Sequence, residues 1–341
     1  MTHASRRALA LLALLPLGLG LAACGGGDDA AKDDGTLTVY SGRQEKLVKP
    51  LLDRFEKRQG IKLEVRYGDS AELAATIAEE GDKSPADAFF SQDAGALGAL
   101  EEQLEPLPGG AWKQVDERFR DPRGRWTGVS ARARVIAYST KRMKEAQVPD
   151  SVFELTDPKW KGKVGLPPSN ASFQAFVSGM RLAVGDERTK QWLEAMKRND
   201  AQTFENNIQT EEAIARGEIE LGLVNHYYVY ELRHEQPNFP VANHFLKPRD
   251  PGSLVNAAGI GILKTADSQA AARKLVDFLL SKEAQTYFRE QTGEYPLAAG
   301  VTPEPDLPPL SDIQAPDVRL SQLGEQLPST LELLSETGFT T

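Results

Sequence analysis

The stretch WTGVSARARVIAYST, residues 126–140, decides how this chain is organised. It reads as one extended segment, longer than the strands of ~3–10 residues usual in globular proteins. That length suits a crossing between two lobes. A second such segment, GSLVNAAGIGILKTA, follows at residues 252–266. Each lies between blocks in which strands alternate with helices. Upstream, TLTVYSG (36–42), IKLEVRY (61–67) and ADAFFS (86–91) read as strands. EKLVKPLLDRFEKRQG, SAELAATIAEEG and DAGALGALEEQ read as the helices among them. In the first helix Leu47, Leu51 and Phe55 recur at helical spacing and Gly60 is a stop, while Pro50 requires a late start that puts it in the first turn. Between the crossing segments, SFQAFVSGMRLAVG places Phe173, Val177, Met180 and Val184 on one face, with Ser172 as N-cap and Gly185 as stop. Further helices follow around Trp192 and Met196 and over EEAIARG, then a strand over IELGLV (219–224). SQAAARKLVDFLLSKEAQTYFREQ supplies two more helices. Strand–helix alternation implies parallel sheets with helices on both faces. Two crossings imply two lobes with a cleft that closes like a hinge.

Outside this body the N-terminus has its own character. MTHASRRALALLALLPLGLGLAAC carries Arg6 and Arg7, then an apolar run to Ala23, the pattern of a secretory leader over residues 1–23. LAAC ends in Cys24, the single cysteine of the chain, and is similar to the lipobox after which a cysteine is acylated. GGGDDAAKDDG then reads as a flexible tether over residues 24–35. The expected protein is therefore a lipoprotein held outside the cytoplasmic membrane, away from ATP. The 341 residues carry a formal charge of −9, which argues against nucleic acid as a partner.

Four turns follow extended segments, at residues 41–44, 91–93, 169–172 and 225–228. Ligands of α/β proteins collect at such strand ends and between domains. The last turn holds NHYYVY, with Tyr227 and Tyr228 adjacent. Neighbouring helical residues point about 100° apart, but at a helix start beside a cleft both phenols can face one pocket. A phenol titrates near ~10, a bound metal deprotonates its ligands, and hard phenolate oxygens suit Fe(III). The other reading leaves one tyrosine in the core and the other stacked on a sugar or amine. Arg132 and Arg134, two apart on the crossing segment, share a face and suit a carboxylate, phosphate or carbonate. Ser169, Asn170, Ala171 and Ser172 precede a helix and form an anion nest, to which Asn207 and Asn225 add amide donors. No nucleophile elbow, zinc-protease motif or phosphate loop occurs, so no enzyme is expected. The histidines are too sparse for a His metal cluster. His226 reads as a helix-start residue with its ring at the surface.

The motifs VYSGRQEKL, EEGDKSPADAFF, SARARVIAY, DPKWKGKVG, NHYYVY and DPGSLVNAAGIGIL carry a resemblance over residues 37–298. The chain resembles the periplasmic ferric-ion-binding proteins of ABC iron importers, a branch of the bacterial extracellular solute-binding proteins. The resemblance implies a type II periplasmic-binding-protein fold, α/β, with two lobes joined by two crossing strands. The N-terminal lobe is expected over residues 36–132 and 254–301, the C-terminal lobe over 133–253 and 302–341. It implies Fe(III) as transported ligand on Tyr227 and Tyr228, completed by a synergistic phosphate or carbonate. The anion positions correspond to Arg132, Asn170, Ala171, Ser172, Asn207 and Asn225, with Asp93 beside them. Two departures stand out: Gln44 replaces a usual His and Gln92 a usual Glu, so Gln44, Gln92, Asp93 or Glu45 faces the metal or its outer shell. A monomer delivering iron to an ABC permease is the expectation. The same fold binding a phosphonate-like organic anion or a polyamine is the alternative.

Overall fold

In the computed structural model the described residues are 35–298 and 300–340; the leader, Cys24 and the tether up to residue 34 lie outside them. The chain first runs β1 (Thr36–Ser41), α1 (Glu45–Gln59), β2 (Lys62–Tyr67), α2 (Ser70–Glu80), β3 (Ala88–Ser91), α3 (Ala94–Ala99) and β4 (Leu104–Glu105). The long crossing segment is β5 (Trp126–Ser139). The second block holds β6 (Val164–Leu166), α4 (Ala171–Val184), α5 (Asp186–Arg198), β7 (Gln202–Thr203), α6 (Asn207–Arg216), β8 (Leu221–Asn225), α7 (Tyr228–Glu235) and β9 (Val241–His244). β10 (Val255–Leu263) returns to the first block, followed by α8 (Gln269–Leu279), α9 (Lys282–Tyr287), β11 (Tyr295–Pro296) and α10 (Gln322–Glu336). Among the described residues no helix is long and apolar enough to cross a membrane.

β5 joins two sheets because it changes partners along its length. Its residues 126–133 pair with β10, and residues 134–139 pair with β8 and β9. Every residue of β5 is buried, as a strand covered on both faces requires. The first sheet runs β2-β1-β3-β10-β5 and the second continues β5-β8-β6-β7. The βαβ strands are parallel, as their helical crossovers demand. The sheets are nonetheless mixed, since β10 is antiparallel to both β3 and β5. A chain that leaves a lobe along one strand and re-enters along its neighbour has to run back against it. Between Ala258 and Gly259 the β10–β5 register shifts. A Cβ on Gly259 would lie 2.6 Å from the Thr127 carbonyl oxygen, so only glycine fits that bulge.

Side-chain alternation sets the cores. Ile136 and Tyr138 of β5 face one apolar cluster with Phe173, Phe176 and Trp192, and Val135 and Ala137 face another with Ile214, Val224 and Val241. The first lobe buries Leu37, Val39, Phe55, Phe89, Phe90 and Ile260 together. The C-terminal tail splits between lobes: Leu307, Ile313, Leu320 and Leu323 enter the first core, Leu333, Leu334 and Phe339 the second. α10 approaches α3 so closely that a Cβ on Gly324 would stand 2.2 Å from the Gly95 carbonyl oxygen.

Two local expectations change. α1 starts at Glu45, so Pro50 lies inside it rather than in its first turn. The proline and Lys46, whose carbonyl loses its intrahelical donor, are both exposed, which lowers the cost. The cap of α4 is Asn170, not Ser172: its Oδ1 accepts the Ser172 N–H at 3.1 Å.

Candidate functional site

β8 delivers Asn225 to the junction of the two sheets, and the chain then turns through His226 into α7. His226 is fully buried, contrary to the surface position expected from its type. Its Nδ1 accepts the Ala133 N–H at 3.1 Å and its Nε2 donates to the Gly293 carbonyl at 2.9 Å. The ring thus ties β8 to the crossing point of β5 and to the approach to β11. Burial lowers its pKa to about 4, so it is neutral when folded. Its contribution to stability is present above the ordinary histidine value of ~6.5 and is lost as pH falls from there toward 4.

Pinning His226 aims the next two side chains. Tyr227 and Tyr228 are 1% and 5% exposed, and their ring centroids stand 4.1 Å apart at 31°. Tyr227 precedes the helix and Tyr228 is its first residue, so the usual angular offset does not separate them. Burial raises the Tyr227 pKa well above the phenol value, with Tyr228 and Glu294 adding to it and Arg132 and Arg43 opposing. Burial also raises Tyr228, against hydrogen bonding to Tyr227 and Asn207 and the charge of Arg132. Both phenols are therefore protonated at neutral pH. Tyr230 lies apart, packed edge-on to His226 at 6.4 Å.

The second-lobe wall is a hydrogen-bonded set. Asn207, fully buried at the start of α6, donates through Nδ2 to Asn170 Oδ1 at 3.1 Å and to Ser172 Oγ at 3.2 Å. Ser172 Oγ donates to Asn170 Oδ1 at 2.6 Å, and Ala171 opens α4 between them. Arg134 donates to Asn207 Oδ1 and Leu223 O, both at 3.3 Å, and to the Ser172 carbonyl. Burial lowers its pKa to about 9. Both Nη atoms are engaged inside the wall, so Arg134 helps to build the site. Asn225 is buried with its Nδ2 unpartnered.

The first-lobe wall is the surprise. Arg132 is 1% exposed, and among the described residues its Nε, Nη1 and Nη2 all lack a hydrogen-bond partner. A buried guanidinium with idle donors is costly unless an anion meets it. Gln44 is exposed and its side chain makes no cap bond. Gln92 is half-buried, and its Oε1 accepts from Arg43 Nη1 at 2.8 Å. Asp93 caps α3 through Ala96 N–H at 3.1 Å; burial raises its pKa against the pull of Arg132. Two residues not singled out from sequence complete this wall. Arg43 is 2% exposed and bonds Glu294 twice, at 3.0 and 2.6 Å. Arg43 sits in a strand-end turn, a signal that was available. Glu294, far along the chain, had none. Among the described residues no three His, Cys, Asp or Glu side chains group to hold a metal. The arrangement offers two protonated phenols facing an unpaired guanidinium: oxygens for a hard cation, and a fork for an anion.

One buried acid near the second-lobe wall is outside the site. Glu211, one turn beyond Asn207 on α6, is fully buried and neither carboxyl oxygen has a partner. Burial raises its pKa well above 4.5, against Arg233. Stability tied to it is present below that value and is lost as pH rises above it. Glu211→Met is expected to stabilise the chain by about 1–3 kcal/mol near neutral pH, the usual penalty of an unsatisfied buried group. The gain should shrink at pH 4, measured by urea denaturation; a destabilised variant at pH 7 contradicts this.

Residues 81–318 match the family described as bacterial extracellular solute-binding protein. The "Fe(3+)-binding periplasmic protein" of Serratia marcescens is 32% identical, over 92% of this chain and 93% of that one. The "Major ferric iron-binding protein" of Neisseria meningitidis serogroup B is 31% identical, over 89% and 93%. Among solved structures, iron-bound HitA from Pseudomonas aeruginosa superposes with a TM-score of 0.83 at 31% identity, over 89% of this chain and 99% of that one. The Trichodesmium IdiA (FutA) complex with iron and citrate gives 0.77 at 28%, over 89% and 100%.

Proposed function

This chain belongs to the periplasmic ferric-ion-binding branch of the bacterial extracellular solute-binding proteins, and from that premise we propose that it captures Fe(III) for import. The observation that carries the reading is the stacked pair Tyr227 and Tyr228 set against the unpartnered guanidinium of Arg132. Two phenolates neutralise much of the charge of a trivalent cation. The remaining positive charge is met by a small anion, phosphate or carbonate, held by Arg132, the Ser172 hydroxyl, the amides of Asn170, Asn207 and Asn225, and the backbone at Ala171. Gln44 takes no part. Gln92 and Asp93 act through Arg43 and the start of α3. The first lobe takes residues 36–132 with 254–301 and the second residues 133–253; the tail, expected wholly in the second, packs through Leu307 to Leu323 on the first core and only through Leu333 to Phe339 on the second. Closure of the cleft excludes water and forms the face read by an ABC permease. The protein is a carrier rather than a catalyst. It works as a monomer outside the cytoplasmic membrane, anchored through acylated Cys24.

The test is an Fe(III) titration with and without phosphate or bicarbonate, followed by the tyrosinate charge-transfer band. A band that needs an anion is expected. Because both phenols are protonated without metal, affinity should rise with pH, by up to about a hundredfold per unit for two released protons. Absence of any visible band in the wild type sinks phenolate ligation.

A second reading has its own support: in the first-lobe wall Glu294 is already paired with Arg43, and among the described residues no idle carboxylate meets the guanidinium of Arg132, which suits an organic anion without metal. Thermal stabilisation by a phosphonate, with none by Fe(III) plus an anion, would favour it. The same guanidiniums weigh against a polyamine.

A further inference from the structure

A cavity of about 780 Å³ lies away from the tyrosines, where the connections between the lobes come together. The loop leading into β5 lines it through Phe119 and Arg120, and β5 itself through Trp126. The segment that returns the chain to β10 contributes Arg249 and Leu254, and residues 311–321 of the tail close the far side. Its floor is apolar: Phe119, Trp126, Leu254 and Ile313 are all buried. Its rim is cationic. Arg118, Arg120, Arg249 and Arg319 line it against two carboxylates, Glu117 and Asp317, in a chain of net charge −9.

These arginines are not equally engaged. Arg118 is paired with Asp116 at 3.1 Å, and Arg120 donates to the Val115 carbonyl at 2.9 Å while lying over the Trp112 ring. Among the described residues the Arg319 guanidinium meets only the side chain of Gln322, at 3.3 Å. Arg249 has no ion pair and no side-chain hydrogen bond among the described residues, although its backbone adopts the left-handed region (φ 58°) and its N–H is held by the Gln314 carbonyl at 2.7 Å. Strained backbone of this kind collects where a ligand is held. On the floor, the Trp126 indole N–H is buried without a partner.

We propose that this cavity is a second binding site, for an organic anion with an apolar body and a carboxylate or sulfonate head. The volume fits a small organic molecule. The floor takes the hydrocarbon, and Arg249 and Arg319 take the head as guanidinium forks do. A bare inorganic anion would leave the apolar floor unused. A cation is repelled by the rim. The proposal goes beyond the iron reading and does not rest on it.

The test uses the metal-free full-length chain, with anilinonaphthalene sulfonate as fluorescent probe, octanoate as competitor and inorganic sulfate as control. A single saturable site is expected, displaced by octanoate and not by sulfate. Arg249→Ala combined with Arg319→Ala should weaken it by about tenfold or more, as loss of two charge-assisted contacts implies. Both arginines are exposed, so folding should be unaffected. Ala315→Trp, which fills the cavity from the tail, should abolish binding by a different route. Non-saturable binding, equal displacement by sulfate, or binding unchanged in both variants overturns the proposal.

Discussion

Replacing Tyr227 and Tyr228 together by phenylalanine is expected to abolish tight Fe(III) binding and its visible band while leaving the fold intact. Phenylalanine keeps the stacked rings, centroids 4.1 Å apart, and removes only the two oxygens. Burial of both rings supplies the packing, and neither hydroxyl is needed to satisfy a neighbour beyond Asn207. Each single variant should lower affinity by more than about a hundredfold, since even outer partners of metal ligands typically cost ~10–100-fold. Tyr227→Phe and Tyr228→Phe also separate two questions. If a single variant shifts the band, that phenolate is a ligand. If the double variant keeps band and affinity, the ligand set lies elsewhere.

Glu294→Ala should produce the largest loss of stability. Its carboxylate and Arg43 form a bidentate pair with side chains 0% and 1% exposed. Burial alone would raise the Glu294 pKa, yet Arg43, Arg132 and Thr292 together hold it below the ordinary carboxylate value. Removing one partner strands a charge in the interior, a change that typically costs ~3–5 kcal/mol. Urea denaturation near pH 7 measures it, and a loss under about 1 kcal/mol would contradict a tightly desolvated pair. The variant should also lose part of the acid sensitivity. A carboxyl with a depressed folded pKa gives stability above its unfolded value of about 4.5 that disappears as pH falls through its folded value. The site should suffer too, because Arg43 holds Gln92 in place.

The frame of this molecule was legible in local sequence; its first-lobe wall was not. β5 announces itself as a long run of mostly small and apolar residues whose only charged members are Arg132 and Arg134, and strands buried on both faces are largely apolar wherever they occur. The paired phenols after β8 were visible for the same local reason. Arg43 was readable in part, since it sits in a turn after β1, but a charged turn residue ordinarily faces water. Nothing near Glu294 in sequence hints that Arg43, 251 positions away, is its partner. His226 shows the same limit from the other side. Its type suggests a surface ring, whereas two backbone groups from Ala133 and Gly293 satisfy it in the interior. The cap of α4 was displaced because Asn170 and Ser172 both suit that role, and only the backbone decides between them.

The place of β10 has a consequence for how the protein is made. It is inserted between β3 and β5, strands that precede it by a long stretch of chain. At the usual pace of synthesis, ~5–20 residues per second, on the order of ten seconds separate β3 from β10 at the ribosome. Until β10 arrives, both flanking strands have open hydrogen-bonding edges, the kind that recruit other chains. The first lobe therefore cannot finish early. A nascent chain has to stay unfolded, or be shielded, until residues near Leu263 are available.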